Sequence, residues 1–397
     1  MRPLWFAWRS LTRQPARAVL GIVGIAAVGA LLFDMLLLSR GLVLSFGDLL
    51  ESVGFDVRIT ATEALPSSGP PIESVSQVVR TVEALPEIDA AVPIAFGRAA
   101  VPGVMSLDLI GSGPTERNVW KVLDGEALPS QEEEGAAPAL VVNRNVAELL
   151  ELAPGDELTL MAIGSEATAL PKVVFVVVGV ADFYFDTPDA RTAAALLPAY
   201  WRAYGEPRRD EADMLLLRSS ADTGPESAVA TIREVYPDLN VFSNEQFLAR
   251  FQRTEFSYFR QISFALSTVT LFFAFLLVTT LLTVSVNQRF AEIASLRALG
   301  FARRRIVADL LWESALMVGT GGLIALPVGG LLASRLDAIL KAMPGLPERL
   351  HFFVMEPRSA LLYVALLTGT GILAALYPVY LAARLPIAAT LRKETVS

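Results

Sequence analysis

Residue types that support catalysis are scarce in this chain of 397 residues. It has no cysteine and a single histidine, His351, so thiol chemistry is excluded and a Ser-His-Asp triad is disfavoured. No G-x-x-x-x-G-K-[ST] run is present to cradle ATP phosphates, and neither H-E-x-x-H nor G-x-S-x-G occurs. Paired acids such as Asp182 and Asp186 are expected by chance, because residues 39–260 hold 33 acidic side chains. We therefore predict that the chain is not an enzyme and binds no metal or cofactor.

A different pattern singles out the segment 287–305. Its apolar residues recur every three positions on one helical face: Phe290, Ile293, Leu296 and Leu299. Gly300 can end such a helix with a left-handed cap. The apolar face needs a partner. The bilayer surface would serve, and so would a groove on another protein, in which Glu292 and Arg297 would fix the register.

Four apolar stretches position this segment. They cover residues 18–38, 261–286, 314–334 and 359–383, and we place the third predicted span at 306–334. Crossing about 30 Å of hydrocarbon takes roughly 20 residues, so each stretch predicts a membrane-spanning helix. The first stands alone and the last three lie close together in the sequence, a one-plus-three layout. Asp34 interrupts the first span near its far end, where we expect its carboxylate to reach interfacial water. A functional carboxylate inside the membrane is the alternative.

Basic residues set the predicted orientation. Residues 1–17 carry four arginines and no acid, residues 287–305 carry five arginines and one acid, and residues 384–397 carry three basic residues and one acid. Such flanks stay in the cytoplasm, so we predict a cytoplasmic amphipathic lead-in at 1–17 and a cytoplasmic tail at 384–397. Residues 39–260, with 17 basic and 33 acidic residues, then face outward, as does the loop 335–358. This acidic surface offers no footprint for nucleic acid.

The outward region alternates strand and helix patterns. A strand–helix–strand order at 53–101 recurs at 213–250, and a β-rich insert lies between the two. We predict an α+β lobe made from residues 50–115 and 213–250, and a β-rich lobe from residues 116–212. The predicted fold class is an α-helical membrane protein with four transmembrane helices (1+3) and an α+β extracytoplasmic domain of two subdomains.

The run from Glu292 to Gly300, E-I-A-S-L-R-A-L-G, resembles the E-I-G-x-L-R-A-L-G signature of the FtsX/MacB-type ABC transporter permeases. The basic lead-in from Arg9 to Arg17 and the C-terminal end from Pro378 to Arg392 are similar to the same family, as is the one-plus-three layout. Ala294 stands where the family usually has glycine, and this substitution leaves the helical pattern intact.

The resemblance implies a set of partners and a location. Such permeases pair as homodimers or heterodimers in the bacterial plasma (inner) membrane, with both termini cytoplasmic. They bind ABC ATPase subunits, which hold the ATP and magnesium. MacB itself carries a fused ATPase ahead of its first span, and only 17 residues precede that span here, so we expect a separate ATPase chain. The residues that match the family's coupling helix are Glu292, Ile293, Leu296, Arg297, Leu299 and Gly300.

Three functions fit this pattern. The resemblance implies a permease that couples ATP hydrolysis to movements of its extracytoplasmic, MacB-like periplasmic domain, by mechanotransmission. It would export or release a hydrophobic compound, peptide or lipoprotein toward a periplasmic adaptor, in contact with membrane lipid. An FtsX-like signalling subunit that activates a cell-wall hydrolase is the first alternative, and a non-energised membrane scaffold is the second.

Overall fold

The structure is a computed structural model. It describes residues 9, 12–13, 15–63, 69–115, 119–132, 135–164, 170–254, 257–288, 303–341, 347 and 349–384. The helices are α1 (Pro15–Ser52), α2 (Val75–Glu83), α3 (Arg144–Leu150), α4 (Leu197–Ala203), α5 (Gly224–Val235), α6 (Asn244–Thr254), α7 (Ser257–Gln288), α8 (Arg303–Lys341) and α9 (Pro357–Arg384). The strands are β1 (Val57–Thr60), β2 (Ile72–Glu73), β3 (Ile88–Val101), β4 (Met105–Ser112), β5 (Trp120–Gly125), β6 (Ala139–Asn143), β7 (Glu157–Ala162), β8 (Lys172–Phe183), β9 (Thr192–Leu196), β10 (Glu211–Ala212), β11 (Met214–Ser219) and β12 (Asn240–Ser243).

The chain divides into two units. The helical unit takes its residues from 1–44, 255–339 and 351–397, and the sheet unit takes its residues from 45–254 and 340–350. Helix α1 therefore contributes residues to both units.

Four helices of the described residues are long and apolar enough to cross a membrane: Ala18–Ser52, Gln261–Gln288, Leu311–Lys341 and Pro357–Tyr380. They confirm the four predicted spans in their one-plus-three order. Each apolar stretch lies within a longer helix, because the polar residues that flank it continue the helical backbone.

Glycine lets the helices of the helical unit approach closely. A Cβ added at Gly29 in α1 would lie 2.9 Å from the Ala325 Cβ in α8 and 2.7 Å from the Tyr363 hydroxyl in α9. A Cβ at Gly321 in α8 would lie 2.8 Å from Ile25 Cγ2 in α1. Small residues at such contacts are how membrane helices gain packing without a hydrophobic driving force between them.

The sheet unit is built on one mixed sheet. Its described strands run in the order β12-β1-β11-β3-β4-β9-β6-β8-β5, and β7 pairs with both β3 and β8. Strands β3, β4, β9, β6, β8 and β7 therefore close into a ring, while β11, β1 and β12 extend the sheet from β3. Parallel pairs (β4 with β9, β6 with β8) alternate with antiparallel ones, which makes this an α+β domain.

A large apolar core lies in the sheet unit. It runs from Val57 on β1 to Val241 on β12 and includes Leu140 and Phe175 from the ring. Helix α2 buries Val75, Val78 and Val82 against it at helical spacing. Strands β3 and β4, which lie in the predicted α+β lobe, pair with β7 and β9 of the predicted β-rich lobe. The two predicted lobes therefore share one sheet and contribute to one large core, and their boundaries stay a prediction.

Candidate functional site

The predicted coupling residues lie outside the described residues. Glu292, Ile293, Leu296, Arg297, Leu299 and Gly300 fall between Gln288, where α7 ends, and Arg303, where α8 begins. Their helical arrangement and their role therefore stay predictions.

A buried polar pair lies on the helices that flank this segment. The Ser285 hydroxyl of α7 donates a hydrogen bond of 3.0 Å to the Glu313 carboxylate of α8, and both side chains are buried. A hydrogen bond between helices in an apolar surround stabilises their pairing by about 0.6–2 kcal/mol. The pair ties α7 to α8 next to the predicted coupling segment. The sequence does not indicate this pair, because Glu313 directly precedes an uncharged stretch, where a charged residue is typical of the end of a membrane span.

Asp34 differs from expectation. Its side chain is 1% exposed, packed among the helices of the helical unit, so it does not reach interfacial water as the sequence predicted. Its Oδ1 atom has no hydrogen-bond partner among the described residues. The error arose because distance along the helix gives depth in the bilayer but not the direction in which a side chain points.

The sheet unit contains an aromatic cluster at the end of α1. Its four rings are Phe46 of α1, Phe242 of β12, and Phe247 and Phe251 of α6, and we call it the aromatic junction. Phe247 is central: its ring centroid lies 6.2 Å from Phe46, 5.4 Å from Phe242 and 5.7 Å from Phe251. Phe46 and Phe251 stack at 5.0 Å. The junction fastens the end of α1 and helix α6 to the same sheet edge.

A buried arginine covers one side of the aromatic junction. Arg58 of β1 is 6% exposed, and its guanidinium carbon lies 5.7 Å from the Phe247 ring centroid. Burial lowers the pKa of Arg58 to about 10, and the nearby charge of Asp56 opposes that shift. At neutral pH the guanidinium therefore stays charged and attracts the face of the ring.

Polar bonds fix the first turn of α6. The Gln246 side chain donates to Glu226 of α5 at 2.8 Å and accepts from Arg233 of α5 at 2.9 Å. The Ser243 hydroxyl donates to the other oxygen of Glu226 at 2.8 Å. Helix α6, which directly precedes the second membrane span, is thereby bound to α5 as well as to the sheet.

The connector between α8 and α9 contributes a further contact of the sheet unit. Arg349 forms a salt bridge with Asp182 of β8, and its guanidinium carbon lies 4.5 Å from the ring centroid of Tyr184. Asp186, the other acid that sequence analysis set aside, accepts hydrogen bonds from Asn143 and Thr192 at 2.7 Å each. Burial raises the pKa of Asp186, although these two hydrogen bonds lower it. Both acids thus hold strands and loops together.

The contacts described above join helices and strands to one another. Among the described residues no group of three His, Asp or Glu side chains is placed to hold a metal ion. Two family models match the chain: a MacB-like periplasmic core domain over residues 18–235, more than half of the chain, and an FtsX-like permease C-terminal region over residues 264–387. The chain belongs to the FtsX/MacB-type permeases.

Three solved structures are similar to part of this chain. The periplasmic region of MacB from Actinobacillus actinomycetemcomitans matches with 14% identity and a TM-score of 0.38, covering 52% of this chain and 99% of that one. The extracellular domain of the noncanonic ABC-type transporter YknZ from Gram-positive bacteria matches with 12% identity and a TM-score of 0.34, covering 47% and 98%. A domain of a permease protein from Porphyromonas gingivalis matches with 10% identity and a TM-score of 0.29, covering 48% and 88%. No curated protein sequence matches the chain.

As an FtsX/MacB-type permease, the chain is a membrane subunit of the ABC transporter class. Its four apolar helices form the membrane part, and its α+β sheet unit is the extracellular domain that the family carries between the first and second spans. The predicted family, fold class and kind of membrane protein are therefore confirmed.

Proposed function

We propose that this permease converts ATP hydrolysis in a separate ABC ATPase subunit into movement of its extracellular domain. It would do so with a second permease chain, as a homodimer or heterodimer, in the plasma membrane of a bacterium. The movement would drive export or release of a hydrophobic compound, peptide or lipoprotein toward a periplasmic adaptor. ATP and magnesium would be held by the ATPase, since this sequence contains no phosphate-binding loop.

The aromatic junction carries this proposal. Helix α1 is continuous from Pro15 to Ser52, and its last two turns, which include Phe46, lie in the sheet unit. Helix α6, bound to the same rings, is separated only by residues 255–256 from helix α7, which contains the second membrane span. A shift of the first two spans would therefore reach the sheet edge at β12 and β1 through packed rings. Stiff helices that end in a packed cluster transmit displacement better than loops do.

Contacts near the predicted cytoplasmic segment 287–305 also support transmission of movement from the ATPase to the membrane helices. The Ser285–Glu313 pair fixes α7 to α8 beside the predicted coupling helix, so a force on residues 287–305 would act on two spans together. The arginine-rich flanks favour a cytoplasmic position for this segment and for both termini. In this proposal Glu292, Ile293, Leu296, Arg297, Leu299 and Gly300 contact the ATPase.

Co-purification tests the partner. We expect an ATPase subunit to co-purify with the full chain in mild detergent, and the double variant Leu296→Glu with Leu299→Glu to lose it, because two charges would enter an apolar groove. The matched control, Leu296→Met with Leu299→Met, keeps apolar volume and should retain the ATPase. Absence of any ATPase from the unsubstituted chain, or its retention by the glutamate variant, would favour the scaffold function instead.

Cysteine labelling tests the orientation. The chain has no cysteine, so single substitutions report one position each. We expect Asp222→Cys, exposed in the sheet unit, to react with a membrane-impermeant maleimide on spheroplasts, and Ala298→Cys to react only after the membrane is opened. Labelling of both positions on intact spheroplasts would contradict the proposed topology.

A further inference from the structure

The connector between α8 and α9 starts in the sheet unit, up to Leu350, and continues from His351 in the helical unit, to which both helices largely belong. Residues 340–350 belong to the sheet unit, which is the extracellular domain. The rest of α8 and all of α9 belong to the helical unit. Leu350 is 5% exposed, and its backbone N–H closes a turn on the Pro347 carbonyl at 3.0 Å. Of the described residues of the connector, Arg349 and Leu350 thus lie in the sheet unit, and Leu350 is buried there.

Arg349 makes two different interactions with one site on the domain. Its guanidinium pairs with Asp182, near the end of β8, and lies over the ring of Tyr184, two residues further on. A planar guanidinium suits both, because it can bond a carboxylate at its edge and an aromatic ring at its face. Arg349 and Asp182 are each about one-third exposed, so solvent weakens the pair but does not surround it.

The anchor site is rigid. Strand β8 is one of the strands that form the closed ring, and it pairs with β5, β6 and β7. Phe183, between the two contact residues, is buried against Trp120 with ring centroids 5.1 Å apart. Asp182 and Tyr184 therefore lie at the end of a strand that contacts other than Arg349 hold in place.

We propose that Arg349 is a positioning residue that fastens the α8–α9 connector to β8, giving the extracellular domain a third attachment to the membrane helices besides α1 and α6. In this arrangement the last two spans also act on the domain, at a site in the ring instead of at the β12 edge. The transmission role rests on the proposed function above, whereas the attachment itself does not.

A buried thiol tests the attachment. Leu350→Cys places the only cysteine of the full-length chain in the connector, where a water-soluble maleimide reaches it only when the connector opens. We expect slow labelling in this background and labelling about tenfold faster when Arg349→Ala is added, since a salt bridge and a cation–π contact are then both lost. Asp182→Ala removes only the salt bridge and should speed labelling severalfold. Because the two residues act as one pair, the double variant should label no faster than Arg349→Ala alone.

Matched variants separate the pair from a general effect of charge. Asp108→Ala removes an acid from an exposed pair with Arg98 elsewhere in the sheet unit and should leave labelling slow. Tyr184→Phe keeps the ring and should change little, whereas Arg349→Lys keeps the charge, loses the planar fit and should be intermediate. Fast labelling in the Leu350→Cys chain, or a rate that Asp182→Ala does not change, would overturn the attachment.

A nucleotide experiment tests the transmission role separately. With the ATPase bound, a non-hydrolysable ATP analogue should change the labelling rate of Leu350→Cys severalfold, and less so in the Asp182→Ala background. A rate unaffected by nucleotide, in a complex that does contain the ATPase, would overturn transmission through the connector. If no ATPase co-purifies at all, the proposed function fails, while the nucleotide-free labelling still decides whether Arg349 holds the connector.

Discussion

Removing the central ring of the aromatic junction should release helix α6 from the end of α1. The Phe247 ring is within 5.4–6.2 Å of Phe46, Phe242 and Phe251, and Arg58 lies over it. Phe247→Ala removes all four contacts at once. The sheet behind the junction is held by its own core, so the loss should be local.

The size of the effect follows from these contacts. Truncating a fully buried phenylalanine to alanine costs about 3–5 kcal/mol. Phe247 is only half-buried, so we expect its apolar contacts to contribute about 3 kcal/mol or less. Each ring pair adds about 0.5–1.5 kcal/mol beyond area, and the cation–π contact about 0.5–1 kcal/mol. We take about 3 kcal/mol as the expected loss, which corresponds to roughly a hundredfold change in a local opening equilibrium.

Amide hydrogen exchange of the full-length chain measures this opening. Exchange in residues 45–52 and 244–254 should become roughly a hundredfold faster in Phe247→Ala, and Phe247→Leu should fall between the two. Phe185→Ala is the control, because Phe185 is 46% exposed in the same unit and should leave both segments protected. Exchange that changes less than about threefold in Phe247→Ala would refute the junction as the fastening of α6 to α1.

Three further predictions test the packing and electrostatics. Gly97→Ala should destabilise the sheet unit by about 1–3 kcal/mol in urea unfolding, because its Cβ would overlap the Tyr204 hydroxyl that bonds the Arg98 backbone. Asp186→Asn should be less stable than the unsubstituted chain near pH 4 and recover relative to it toward pH 7. Burial raises the pKa of Asp186 in the folded chain above its ordinary value of 3.8. The neutral carboxyl therefore contributes stability below pH 3.8, and this contribution is lost as the pH rises through the pKa of the folded state. Urea unfolding measured at a series of pH values would show the change. Gly321→Val should lower the melting temperature of the detergent-solubilised chain, since its Cβ would lie 2.8 Å from Ile25 Cγ2; Gly319→Val, with open space at that position, should not.

The sequence predicts the membrane part well because hydropathy is a direct physical signal there. The spans 261–286 and 359–383 lie within α7 and α9, which end only a few residues beyond them. The first span at 18–38 lies within α1, which continues to Ser52. The extra turns are polar enough to leave the bilayer, and only the contacts of Phe46 with α6 show that they stay helical and packed.

The sheet is less predictable because its closure depends on pairs far apart in sequence. Strand β9 reads Thr192-Ala-Ala-Ala-Leu196, and alanine favours helix, so nothing local indicates a strand that is fully buried between β4 and β6. Arg349 and Asp182 are 167 positions apart, and neither carries a motif. The coupling residues near Leu296 show the opposite case: their pattern is clear in the sequence and they lie outside the described residues.

The most direct test is whether nucleotide binding on one side of the membrane reaches the aromatic junction on the other. Hydrogen exchange of the permease–ATPase complex, with and without a non-hydrolysable ATP analogue, would report residues 45–52, 244–254 and 287–305 in one experiment. We predict that nucleotide changes protection in all three segments. A change confined to residues 287–305, with the junction unaltered, would contradict mechanical transmission through α1 and α6.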